Sequence, residues 1–71
     1  MKKFHSIVWR EDKYFVAKAL EVEIASQGKT EQEALKNLEE ALELYFEDNK
    51  HPEIIKIEQP KLQDISLSLN A

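Results

Sequence analysis

Fourteen acidic residues and two histidines are the side chains of this 71-residue chain with acid–base or metal chemistry in reach, and their spacing decides whether they use it. Glu11 and Asp12 form one adjacent carboxylate pair. Glu21 and Glu23 form another, at the i, i+2 spacing that puts both on one face of a strand. General acid–base work needs such groups held apart in pKa by a neighbouring charge or by burial. Neither pair has a histidine, lysine or metal-ligand context in the sequence, and solvated charge is the better reading of each. His5 sits within a β-branched, aromatic run and reads as a half-buried strand histidine rather than a general base. His51 precedes Pro52 in a loop and reads as a surface residue. The two histidines share no ligand spacing, and the absence of cysteine removes disulfides and thiolate metal sites. Ser6, Ser26, Ser66 and Ser68 stand outside any nucleophile-elbow context, and one glycine cannot build a phosphate-cradling loop. The expectation is no catalytic residue, no metal and no cofactor.

Phe4, Trp9, Tyr14 and Phe15 raise a different chemistry, the stacking of unpaired bases on a sheet. There is no ribonucleoprotein motif and little positive charge beside them, so core and interface roles are favoured. A net charge of −4 and a pI near 5.1 also argue against gripping a phosphate backbone. The same charge suits a basic protein partner, because opposite charge speeds encounter. It equally suits plain solubility. No apolar run reaches signal-peptide or membrane-spanning length, so a cytoplasmic protein is expected, without membrane association.

The elements that must position these residues begin with two strands, Phe4–Arg10 and Tyr14–Leu20, joined across Glu11–Lys13 as a hairpin. Apolar residues run consecutively in both, as in strands partly covered on two faces; one face meets a helix and the other needs a second layer, such as another subunit. Glu21–Ser26 alternates and predicts a short third strand, with Val22 and Ile24 on one face. Gly28, the single glycine, is expected to supply a positive φ in the turn that follows. Thr30 and Glu33 form a capping box, and Glu31 complements the helix dipole. The helix is predicted from Glu31 to about Asp48, with Ala34, Leu35, Leu38, Ala41, Leu42, Tyr45 and Phe46 on one stripe. Lys36, Glu39, Glu40, Glu43 and Glu47 lie opposite, and Leu44 falls off the stripe. Asn49–Pro52 ends the helix. Residues 53–59 read equally as short strand or connector. Asp64–Leu69 alternates strictly and predicts a last strand with Ile65, Leu67 and Leu69 on one face.

This order gives an α+β fold, β-β-β-α-β, as a single domain over residues 1–71 with one helix on a small, mainly antiparallel sheet. A chain this short buries only about 60% of its unfolded surface. Lacking disulfides or metal, it is expected to lean on self-association as a homodimer or homotetramer. Trp9, Leu44, Ile65, Leu67 and Leu69 are the candidate oligomer or partner interface.

The stretch Ser26–Tyr45, S-Q-G-K-T-E-Q-E-A-L-K-N-L-E-E-A-L-E-L-Y, resembles the signature of the HicB-like antitoxin family. The matching features are Gly28, the Thr30 cap, Glu33-Ala34-Leu35, Asn37 and Glu40-Ala41-Leu42. Tyr14-Phe15-Val16-Ala17 is similar to the family's second strand, and the order of elements matches over most of the chain. The chain departs from the family at Ala19–Ile24, which lacks the usual proline-containing segment and further glycine. The resemblance implies a degenerate ribonuclease H-like fold without the catalytic carboxylate set. It also implies a non-enzymatic antitoxin that binds and occludes a small basic RNA-cleaving toxin of the HicA type. Twenty residues follow His51 and read as connector and strand, so no autonomous DNA binding is expected. The alternatives are an orphan HicB-like module that binds RNA or acts through oligomeric interaction, and a residual magnesium-dependent nuclease.

Overall fold

In a computed structural model, which describes residues 3–48 and 52–69, three antiparallel strands carry one helix. The strands are β1 (Ser6–Glu11), β2 (Tyr14–Ala19) and β3 (Ala25–Gly28), in the spatial order β1-β2-β3; the helix α1 spans Glu31–Asp48. The α+β class, the first two strands and the order β-β-β-α therefore stand, while the third strand lies at other residues than Glu21–Ser26. The last strand does not: Asp64–Leu69 pairs with nothing among the described residues, and 53–59 is a connector rather than a strand. The expected helix end at Asn49–His51, and His51 itself, lie outside the described residues.

The first hairpin is tighter than the three-residue break predicted from sequence. Glu11 pairs with Tyr14, leaving Asp12 and Lys13 as a two-residue loop. Asp12 adopts a φ of 54°, a left-handed conformation that aspartate tolerates better than most non-glycine residues. Arg10 Nε donates to the Asp12 carbonyl at 3.1 Å and braces the turn. The positive φ expected at Gly28 is absent there.

The third strand begins four residues later than its alternation suggests. Glu21–Glu23 forms a bend in which Ile24 N–H reaches the Val22 carbonyl at 2.9 Å, an i→i+2 closure of the γ-turn kind. Ala19 N–H then bonds the Ile24 carbonyl at 2.9 Å, closing the loop before β3 starts at Ala25. Val22 is buried and Ile24 packs beside the core, so the alternation marked real burial but not a strand.

Register decides the faces. Val8 opposes Ala17 and Ser6 opposes Ala19, and both alanines are buried beneath α1. Gly28 lies opposite Phe15 on that same face. A Cβ placed on Gly28 would stand 2.6 Å from the Ala34 backbone nitrogen and 2.9 Å from the Glu33 carbonyl carbon. Glycine here is required by the closeness of the helix backbone, not by a turn. The helix start is fixed in the same place. Thr30 Oγ1 accepts from Glu33 N–H at 3.0 Å, and the Glu33 carboxylate accepts from Lys29 N–H at 2.7 Å, one residue earlier than the usual box. Asn37 Nδ2 donates to the Gln27 carbonyl at 2.8 Å, tying the second helical turn to β3.

The core is Ala17, Ala19, Val22, Ala34 and Leu38, with no large side chain fully enclosed among the described residues. Phe4 stacks on Phe46 with ring centroids 5.3 Å apart, closing the far end of the helix against the segment before β1. Because Ala34 and Gly28 set the distance between layers, Gly28→Ala should force the helix away from β3. A loss of about 1–3 kcal/mol is expected in a denaturant titration. Thr30→Ala, which removes only the cap, should cost about 1 kcal/mol in the same measurement.

Candidate functional site

The titratable constellation that the fold does assemble was not legible as one in the sequence. Glu21, read there as solvated, is 5% exposed. Its Oε1 accepts from the His5 backbone N–H at 2.9 Å, and its Oε2 lies 2.5 Å from His5 Nδ1. Leu20 N–H bonds the His5 carbonyl at 3.0 Å, and Ile55 N–H bonds the Glu21 carbonyl at 3.0 Å. Three segments distant in sequence therefore converge on Glu21: the approach to β1, the β2–β3 loop and the C-terminal connector. Burial raises the cost of the Glu21 charge, but the hydrogen bonds from the His5 ring and backbone outweigh it and hold the carboxyl below its ordinary value. Since a carboxylate only accepts, Nδ1 of His5 carries the proton. His5 lies just before β1 rather than within it and is partly exposed.

A carboxylate orienting a histidine is the beginning of a nucleophile-activating relay. The relay stops there. Among the described residues no serine or threonine hydroxyl bonds the His5 ring, and no three His, Asp or Glu side chains are grouped to hold a metal. Glu23 turns the other way, exposed, with Lys18 Nζ at 3.6 Å. The His5–Glu21 pair is best described as a clamp between the approach to β1 and the β2–β3 loop, with the connector held on the Glu21 backbone carbonyl.

The five candidate interface residues are all exposed, on three separate surfaces. Trp9 lies on the sheet face away from the helix, where Ile7 and Tyr14 are also partly exposed. Its Nε1 donates to Glu11 Oε2 at 2.9 Å. That bond places a carboxylate beside the indole edge. Leu44 is 61% exposed on the acidic flank of α1, in a hollow of about 290 Å³ with Glu40, Glu43 and Glu47. Ile65, Leu67 and Leu69 project from a tail in which every described residue from Glu58 onward is exposed.

A fourth surface went unnoticed in the sequence. An open groove of about 740 Å³ runs between α1 and the β1 side of the sheet, lined by Phe4, Ser6, Leu35, Leu38, Leu42 and Phe46 among others. The helix packs most closely on β3 and least on β1, so the Leu35, Leu42 and Phe46 edge of its apolar stripe is incompletely covered. Leu35, assigned to the core from its helical period, is partly exposed for that reason. A signal existed in β1: its helix-facing positions Ser6 and Arg10 flank Val8, and two polar residues of three do not describe a covered face.

The residue span 3–70 matches a family of unknown function, DUF7387. The chain belongs to that family. No curated protein and no solved structure matches it. Among the described residues, no helix is long and apolar enough to cross a membrane.

The Glu21 clamp has a pH signature. A carboxyl held low in the folded chain contributes stability fully above its ordinary value of 4.5, and the contribution is lost as pH falls through the folded-state value. Glu21→Gln should cost about 1–3 kcal/mol at neutral pH and make the acid side of the stability profile shallower, as read by denaturant midpoints from pH 7 to 3.

Proposed function

We propose that this DUF7387 chain is a non-enzymatic binding protein of the HicB-like antitoxin kind, whose target is a small basic RNA-cleaving toxin of the HicA type. In this reading the fold is the degenerate ribonuclease H-like one of that family, and the protein works in the cytoplasm as a homo-oligomer. The observation that carries the reading is the outer flank of α1, where Glu40, Glu43 and Glu47 surround the exposed Leu44. An apolar residue ringed by carboxylates suits a basic partner: the charges steer the encounter and the leucine gives the contact a dry centre. The Thr30 cap and the Asn37 bond to β3 give a structural role to residues shared with the HicB-like signature. They support the resemblance without locating a partner.

Occlusion is the mechanism that needs no chemistry from this chain. A complex that covers the basic RNA-binding face of a toxin removes its activity by sterics and charge neutralisation. Co-expression with HicA-type toxins tests it: growth should be rescued in at least one pairing. Glu40→Lys with Glu43→Lys should then weaken the complex about tenfold or more, mainly through a slower association rate that loses its salt dependence. Failure to rescue growth from any such toxin would sink the proposal. Turnover of an RNA–DNA hybrid in magnesium would favour the nuclease instead, and tight RNA binding at low salt that weakens steeply with added salt would favour the RNA-binding module.

A further inference from the structure

The sheet under α1 is one strand short on the β1 side. The helix is drawn over β3 by the contact at Gly28, so the flank formed by Leu35, Leu42 and Phe46 faces a groove on the β1 side. Among the described residues β1 pairs only with β2, so its outer edge offers unpaired backbone donors and acceptors beside an apolar groove. A strand added there would meet backbone hydrogen bonds along β1 and, at every second residue, the helix flank.

The same chain carries a segment with that pattern. In Asp64–Leu69 the residues Ile65, Leu67 and Leu69 alternate with Ser66 and Ser68, and the three aliphatics are 83%, 76% and 81% exposed. Six extended residues span about 20 Å, the length of the six-residue β1. The root of the tail is fixed: Ile55 N–H holds the Glu21 carbonyl, and Ile54 packs against the core. Beyond it, Gln59 takes a φ of 47°, a left-handed backbone for a non-glycine residue, directly before Pro60. This restricted bend leads into residues exposed throughout, and the radius of gyration, 14.4 Å, exceeds the roughly 11 Å of a compact chain of this length. The tail alternates as a strand does, is apolar on one side, and contributes no residue to the lining of the groove.

We propose that the chain self-associates by strand exchange, with Asp64–Leu69 of one copy lying along β1 of a second. Ile65, Leu67 and Leu69 enter the groove over Leu35, Leu42 and Phe46, and Ser66 and Ser68 face the side of the sheet away from the helix. The exchanged strand supplies the last strand that the alternation predicts, in the partner's sheet instead of its own. The proposal does not depend on the antitoxin reading.

The test is complementation between two full-length variants, followed by sedimentation velocity. The tail variant replaces Ile65, Leu67 and Leu69 with Asp; these side chains are exposed in the isolated chain, so its fold is spared. The groove variant is Leu35→Glu, at a partly exposed position; if it loses helicity by circular dichroism, Ser6→Arg, exposed at the groove, takes its place. The natural chain should form dimers or larger closed assemblies. Each variant alone should self-associate more than about tenfold more weakly. An equimolar mixture should regain a heterodimer, because one intact tail then meets one intact groove. A natural chain that stays monomeric at high concentration, as it would if the tail closed onto its own β1, overturns the proposal. So does a tail variant that associates as the natural chain does, or a mixture that forms no heterodimer.

Discussion

The approach of the α1 backbone to Gly28 governs the arrangement of this fold. Only a residue without a side chain can end β3 with the Ala34 nitrogen so near. Once that distance is set, the rest of the layer spacing follows: Ala17, Ala19 and Ala34 fill the gap, and larger residues there would not fit. The Thr30–Glu33 cap and the Asn37 bond to Gln27 act at the same end and keep the helix from sliding. The price is asymmetry. A helix held tightly over β3 covers β1 poorly, and one edge of its apolar stripe, Leu35 above all, is left over a groove.

The opposite end of the molecule is held by different physics. Phe4 and Phe46 stack there, and Glu21 gathers His5, the β2–β3 loop and the connector through polar bonds in a nearly dry position. A buried carboxylate with all its partners gives directional restraint that small apolar side chains cannot. One end is thus positioned by steric closeness and the other by hydrogen bonding.

How far this could be read from the sequence differs by element. The helix and its cap were legible because both rest on local signals, the 3.6-residue period and the Thr30–Glu33 spacing. The hairpin was legible from β-branched and aromatic content, though its loop proved one residue shorter. Glycine at position 28 was recognised as constrained, but for the wrong cause: steric closeness and left-handed backbone both select glycine, and sequence cannot separate them. Glu21 was misread because alternation in Glu21–Ile24 imitates a strand, while the bend turns the carboxylate inward to His5, sixteen residues away. The last strand at Asp64–Leu69 was read from alternation alone. Alternation states that one face wants burial without saying what covers it, and within a single chain nothing among the described residues does. The groove was hidden because a helical period shows which residues form a stripe, not how much sheet lies beneath it.

The small-residue seam also shapes the thermal behaviour of an isolated chain. The heat-capacity increment of unfolding grows with the apolar surface newly exposed to water. Alanines bring little such surface each, and Leu44, Ile55 and Leu62 are already largely hydrated before unfolding begins. The increment per residue is therefore low, and with it the curvature of stability against temperature. A short chain also has a small unfolding enthalpy. The thermal transition of an isolated chain is accordingly expected to be broad.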